Sequence, residues 1–327
     1  MHLPESGAEI DAVENHLGSI AELNEATAKG TLAAIVRRDE RRQVERIRRI
    51  ALRIASRVPF VRLVLLAGPS SAGKTTTAIR LLRSLKANGL RGMLLSTDNY
   101  FVGDARNPRD ANGEFDYETI KAVDVRRLVK DVRGLLAGRD VFLRRFDFIH
   151  KCGYDDCDTT SLPPNGVIVV EGIHALNPAL TKGSPEPLKF RVYLNVFTQL
   201  TENSCEVLFS DDIRLLRRIV RDAQFRNESP AATLRRWPSV ERGEEKWINP
   251  YRRLSDAVFN TALDYELAVL KPYALKALRR VKRDDPMYAE ARRLRGILEG
   301  VTAAPPDFVP GNSILRESIG GSALEYV

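Results

Sequence analysis

Cysteine, methionine, tryptophan and histidine are all scarce here: three, three, two and four residues among 327. So few cysteines cannot staple a chain of this length, which excludes a disulfide-built secreted scaffold. Cys152 and Cys157 lie near His150, but a zinc centre wants a fourth ligand and closer cysteine spacing. The expectation there is a hairpin loop with two reduced thiols. No apolar run approaches the roughly 18 residues of a spanning helix. The best runs, Leu63–Gly68 and Val167–Val170, are strand-length. The opening Met1-His2-Leu3-Pro4-Glu5 lacks the basic-then-apolar layout of a signal peptide, so a cytoplasmic chain with no membrane partner is expected. Repeats of about 20–50 residues are also missing.

What remains is ordinary globular usage, 43% hydrophobic and 29% charged, which fits neither a disordered chain nor a coiled coil. Basic residues number 51 against 43 acidic, a net charge of +8. That surplus suits an anionic partner, either a polyanion or a small phosphorylated ligand.

Residues 1–58 read as a short N-terminal helical extension. Ser19 is placed to cap a helix through Ala28 that Gly30 stops. From Thr31 to Arg57 the pattern is helical and very basic, with Ile35, Val44, Ile47, Ile50, Ala51 and Ile54 forming an apolar stripe. A helix docked on the next domain is preferred over a nucleic-acid-binding arm. Beyond Phe60, short β-rich runs alternate with helical stretches. Expected strands are Val61–Ala67, Gly92–Ser96, Val141–Phe148, Val167–Val170 and Phe190–Leu194. Expected helices are Thr75–Ala87, Ile120–Leu136, Asp212–Phe225, Tyr265–Val281 and Asp285–Leu298. This alternation predicts an α/β domain, three layers thick, around a mostly parallel sheet. It would span 59–300, and the Pro-, Gly- and Ser-rich residues 301–327 would form an extended tail on the surface.

The decisive run is Gly68-Pro69-Ser70-Ser71-Ala72-Gly73-Lys74-Thr75, which satisfies the P-loop pattern G-x-x-x-x-G-K-[ST]. Glycines let such a loop curl until successive backbone N–H groups converge on phosphate oxygens. Lys74 would supply positive charge to the β- and γ-phosphates, and the Thr75 hydroxyl would ligate Mg²⁺. The run sits directly after an expected strand and before an expected helix, whose positive end faces the same phosphates. A nucleoside triphosphate is therefore expected, held by Gly68, Ser70 to Thr75, and Thr76. After Val167–Val170 comes Glu171; a buried carboxylate needs a cation, either Mg²⁺ beside the loop or a salt-bridge partner. The helix Asp212–Phe225 carries Arg214, Arg217, Arg218 and Arg221 at spacings that share a face. Beside a P-loop it reads as a lid, about 212–248, bringing arginines to the phosphoryl group.

Five runs occur in one order: the P-loop, Thr97-Asp98-Asn99-Tyr100-Phe101, Phe115-Asp116, Val169-Val170-Glu171-Gly172-Ile173, and Arg214 to Asp222. The series resembles the uridine kinase and phosphoribulokinase group of P-loop kinases. It is most similar to the kinase portion of long bacterial uridine-kinase-like proteins, which also end in stretches like Arg235 to Lys246 and Asn312-Ser313-Ile314-Leu315-Arg316. The resemblance implies the P-loop NTPase fold and Mg²⁺-dependent transfer from ATP to the 5′-hydroxyl of a nucleoside. It implies Asp98 facing the acceptor hydroxyl and joining Thr75 and Glu171 around the metal, although Asp98 could instead cap a turn. Asp116 and Arg218 would grip the ribose, with an N-cap as the alternative role for Asp116. Arg221 and Arg226 match the lid arginines. Tyr100, Phe115, Phe146 and His150 would line the acceptor pocket. A homo-oligomer is implied as well.

The pattern departs from the family where the base is read. Uridine kinases carry a stretch like Tyr-Asp-Phe-x-x-His-x-Arg; here Phe146 replaces the tyrosine and His150 arrives one position early. In a strand that slip turns the side chain to the opposite face. In the lid, Glu228 stands where an arginine would approach the base. Phosphate-, metal- and hydroxyl-handling parts are intact, so kinase chemistry is expected with the acceptor open: a nucleoside, or another small sugar or polyol. An NTP-dependent RNA-associated module is the alternative from a different class, resting on the basic N-terminal helix.

Overall fold

The computed structural model describes residues 9–10, 17–110, 113–147, 150–198, 200–202, 205–208 and 210–325. The N-terminal residues that bear on a signal peptide lie mostly outside that set. In chain order the strands are β1 (Glu9–Ile10), β2 (Leu63–Ala67), β3 (Gly92–Ser96), β4 (Val141–Asp147), β5 (Cys152–Thr160), β6 (Val167–Glu171), β7 (Lys189–Asn195), β8 (Leu200–Glu202), β9 (Cys205–Leu208) and β10 (Ala257–Asn260). The α-helices are α1 (Ile20–Ala28), α2 (Leu32–Ala55), α3 (Lys74–Ala87), α4 (Val125–Leu136), α5 (Ser210–Phe225), α6 (Pro230–Trp247), α7 (Glu266–Leu278), α8 (Tyr288–Glu299) and α9 (Arg316–Ile319).

Six strands form one sheet in the order β1-β10-β7-β2-β6-β3, every pairing parallel. Strands β2 and β6 are buried along their whole length, as parallel strands covered on both faces must be. One face packs on α2 and α3 through Ile47, Ile54, Ala78 and Leu81. The other packs on α4 through Leu128, Val132 and Leu135. A third apolar cluster joins α5, α7 and α8 to α1 and the start of α2. The expected three-layer α/β fold is what forms.

Helix α1 starts where expected, with Ser19 Oγ accepting from the Glu22 N–H at 3.2 Å. Helix α2 docks on the domain by a polar face as well as an apolar one: Asp39, Glu40, Gln43 and Arg46 are all buried. Gln43 Nε2 donates to the Asn260 carbonyl at 3.0 Å, and Arg53 to that of Asp256 at 2.9 Å. The helix expected over Ile120–Leu136 is split: a 3-10 turn covers Ile120–Ala122, and Asp124 then accepts from the Arg127 N–H at 3.0 Å to start α4. The tail differs more. Instead of lying on the surface, it buries Val309, Ile314, Leu315, Ile319 and Leu324 and forms α9. Cys152 and Cys157 are exposed free thiols on β5, as the hairpin reading expected.

Candidate active site

Three adjacent strands, β2, β6 and β3, end at the same edge of the sheet, where ligands gather in open parallel sheets. Their register pairs Leu66 with Glu171 and Glu171 with Ser96. Glu171 is thereby set between the loop that follows β2 and the turn that carries Asp98. Local sequence supplies the three groups; the sheet makes them neighbours.

The loop curls as its glycines allow. Gly73 has φ +80°, and a Cβ there would sit 2.5 Å from the Ile314 Cγ2, so both conformation and space demand glycine. Ser71 is also left-handed at φ 59°, a conformation costly for a residue with a side chain. Lys74 Nζ donates to the Pro69 carbonyl at 2.9 Å, folding the ammonium back over the loop.

Helix α5 holds this loop from outside. Arg214 Nη1 donates to the Ser70 carbonyl at 3.2 Å, Arg217 Nη1 to the Ser71 carbonyl at 3.4 Å, and Arg218 Nη1 to Ser70 Oγ at 2.9 Å. The first two arginines are themselves buried and clamped. Arg214 makes a two-pronged pair with Glu244 of α6 at 2.6 and 2.7 Å and stacks over Trp237, 5.3 Å from the ring centre. Arg217 does the same with Glu266 at 2.6 and 3.0 Å. Breaking such a buried pair costs on the order of 3–5 kcal/mol because the other charge is stranded. Two of the four arginines expected to reach the phosphoryl group are therefore structural braces. Arg221 pairs with Asp222 at 2.8 Å and lines a cleft with Ser71 and Gly73. Arg226 extends further into solvent, 3.7 Å from the same Asp222.

Asp98 lies in a 3-10 turn capped by Ser96, whose Oγ accepts from the Asp98 N–H at 3.3 Å. The cap being Ser96, the Asp98 carboxylate has no capping role. Glu171 is buried, and burial with Asp98 beside it pushes its carboxyl up to about 7 against the pull of Lys74. The next residue, Gly172, has φ +151°, and a Cβ there would collide with Thr97 Oγ1. Glycine thus lets β6 turn away directly after Glu171. Among the described residues no three or more His, Cys, Asp or Glu side chains are grouped so as to cage a metal unaided. Mg²⁺ needs no such cage: one or two carboxylates suffice when phosphate oxygens and water complete the shell. Asp98, Glu171 and the Thr75 hydroxyl are hard oxygen ligands of that kind and fit the ion.

The acceptor side departs from expectation. Tyr100 is 1% exposed and donates to Asp131 of α4 at 3.1 Å. It is a core residue, not a pocket wall, because the 3-10 turn points it into the sheet–α4 layer. His150 is 75% exposed and bonded to Asp147 at 2.6 Å; it stands at the hairpin tip in solvent. Phe146 and Phe115 do belong to one aromatic group, Phe146 edge-on to Phe101 at 5.8 Å and Phe115 against Tyr117 at 5.8 Å. Asp116 takes neither role: its Oδ1 accepts from the N–H groups of Glu118 and Thr119 at 3.0 and 3.2 Å in a local turn, while the following 3-10 turn and α4 are capped by Thr119 and Asp124. Arg218 bonds Ser70 and Asp222 rather than Asp116.

A second carboxylate beside Arg218 is Glu118, which sequence reasoning missed. Its Oε2 is shielded from solvent without a hydrogen-bond partner. Burial pushes its carboxyl up to about 7, with Arg218 and Lys74 opposing and Glu244 and Asp98 adding to the rise. The signal was present, an acid two places after Asp116, but only tertiary packing shows which acid turns inward. Asp222, which gathers Arg218, Arg221 and Arg226, was likewise overlooked.

The model of the Phosphoribulokinase / Uridine kinase family matches residues 63–268. The chain is similar to a uridine kinase of Deinococcus deserti, 27% identical over 201 residues, which covers 61% of this chain and 86% of that protein. It is similar also to a uridine kinase of Staphylococcus aureus strain JH9, 25% identical over 194 residues, 59% of this chain and 84% of that one. A solved kinase structure from Silicibacter sp. TM1040 aligns over 65% of this chain and 98% of its own at 17% identity and a TM-score of 0.48.

Proposed function

This chain belongs to the phosphoribulokinase and uridine kinase family and is a P-loop kinase, and from that premise we propose that it moves the γ-phosphoryl group of ATP onto a hydroxyl of a small neutral acceptor, with the 5′-hydroxyl of a nucleoside as the first candidate. The observation that carries this reading is the convergence of the Gly68–Thr75 loop, Asp98 and Glu171 at the ends of three neighbouring strands.

In this reading the loop's N–H groups and Lys74 hold the polyphosphate. Asp98 orients the attacking hydroxyl and accepts its proton as the O–P bond forms. Mg²⁺, held by Thr75, Glu171 and Asp98, would neutralise charge on the phosphate oxygens. Arg221, on the helix that braces the loop, and Arg226, just past its end, add positive charge beside the transferred group. The acceptor end is lined by Asp98 and Glu118, with Phe115 and Phe146 in the neighbouring aromatic group. Carboxylates there favour a hydroxyl-rich neutral molecule over an anionic one. The two uridine kinases above support a nucleoside; the missing tyrosine, the solvent-exposed His150 and Glu228 favour a different sugar or polyol.

The test is an acceptor screen with purified protein, ATP and Mg²⁺, reading ADP release over nucleosides, sugars, polyols and their phosphorylated forms. Release that depends on a neutral hydroxylic acceptor is the expected result. Turnover indifferent to every acceptor, or dependent only on anionic ones, would refute the proposal.

A further inference from the structure

The C-terminal segment lies outside the stretch matched by the family, residues 63–268, yet it reaches the phosphate loop. Ile314 packs over Gly73. Ser313 Oγ lies 3.2 Å from the Tyr265 hydroxyl, and Gln224 Nε2 donates to the Ser318 carbonyl at 2.9 Å. These contacts pin the segment between α3, α5 and α7. They deliver Glu317, whose Oε2 accepts from Thr76 Oγ1 at 3.2 Å. Ser71, Gly73, Arg221, Ile314, Glu317 and Ser318 line a single cleft.

Thr76 is one residue beyond Thr75, in the first turn of α3. Lys74 and Thr75 address the terminal phosphates, and Asp98 and Glu171 address the reacting end. The rest of the nucleotide has to leave the loop past the first turn of α3. A carboxylate pressed against phosphate would repel it. The next group outward is the ribose, whose 2′- and 3′-hydroxyls are donors that a carboxylate accepts well.

We propose that Glu317, carried by the C-terminal segment, is a specificity-determining residue of the phosphoryl-donor site that accepts hydrogen bonds from the ribose hydroxyls, so that the kinase selects ribonucleotides over deoxyribonucleotides. This rests on the reading of the loop as an ATP site. A site built to bond a hydroxyl rejects the analogue lacking it, because its own acceptor is then left unpaired.

The experiment is equilibrium titration of the full chain and its Glu317→Ala variant with ADP, 2′-deoxy-ADP and inorganic tripolyphosphate, each with Mg²⁺, and with thermal melting as a check that the variant folds. The wild type should bind ADP about tenfold or more tightly than 2′-deoxy-ADP. The variant should lose most of that preference by weakening ADP, with 2′-deoxy-ADP and tripolyphosphate changed by less than about twofold. An unchanged ratio overturns the assignment. So does a variant that tightens on tripolyphosphate, since the carboxylate would then be opposing phosphate rather than recognising a sugar. If the wild type binds none of the three ligands, the ATP-site reading itself fails, and this proposal with it.

Discussion

The two ends of this site are built on opposite plans. On the phosphate side, the loop is braced through its backbone: the Ser70 and Ser71 carbonyls and the Ser70 hydroxyl are held by Arg214, Arg217 and Arg218, two of which are held in turn by Glu244 and Glu266, and Ser71 Oγ is left buried without a partner. On the acceptor side, Thr97 Oγ1 and Glu118 Oε2 are buried without partners, and the walls come from a loop and a two-stranded hairpin outside the main sheet. Buried polar atoms left without partners are costly, and a ligand's own groups can relieve that cost where such atoms border a site. On the proposed reading, the fold pre-organises the part of the reaction shared by all phosphoryl transfers and leaves the choice of alcohol to appended segments.

The contrast can be broken, or sharpened, at four positions. Lys74→Ala should cause the largest loss, turnover down about a thousandfold or more with weakened ATP binding; kinetics like wild type would undo the phosphate-side assignment. Asp98→Asn sits where the two sides meet. It should lower turnover at least about a hundredfold while nucleotide affinity, measured by titration, stays within about twofold. Near-normal turnover in that variant would remove Asp98 from its role.

The third position tests burial itself. His174 is 1% exposed, and burial pushes its imidazole down to about 4. Its unfolded value lies near 6.5, so between these limits the unfolded chain binds a proton that the folded chain refuses. Its contribution to stability is therefore present above about pH 6.5 and lost as pH falls toward 4. Glu118, raised to about 7, acts in the opposite sense, losing stability as pH rises from about 4.5 to 7. The readout is thus the difference between His174→Gln and wild type in urea unfolding. It should shift by about 2 kcal/mol in the variant's favour between pH 7 and pH 5, and parallel profiles would contradict it. The smallest effect belongs to Glu118→Gln, which should raise the acceptor KM about tenfold and change the ATP KM far less. Equal changes in both would erase the distinction between the two sides.

Most of the sheet was legible from local pattern. Strand β3 begins and ends as expected, and β2, β6 and β7 agree within two residues, because buried parallel strands are short apolar runs. Strand β10, the four residues Ala257–Asn260, was missed. Helix α6 was not read as a helix, since Pro238 falls inside it and looks like a breaker. The phosphate loop was legible because its eight residues are consecutive, so spacing alone specifies the geometry. The acceptor side was not. Tyr100 and His150 occupy plausible places in the sequence, but one turn and one hairpin tip decide where they point. Glu118 and Glu317 reach the site through contacts with Gly243 and Thr76, more than a hundred residues away in each case, and no local pattern carries that information.

Arg214 has a consequence beyond support. Glu118 packs on Gly243, the neighbouring Glu244 clasps Arg214, and Arg214 in turn grips the Ser70 carbonyl. On the proposed reading, an alcohol that displaced Glu118 would be felt, through one buried cation, at the loop proposed to hold phosphate. Linkage makes such communication mutual: the factor by which one substrate tightens the other is the same in both directions.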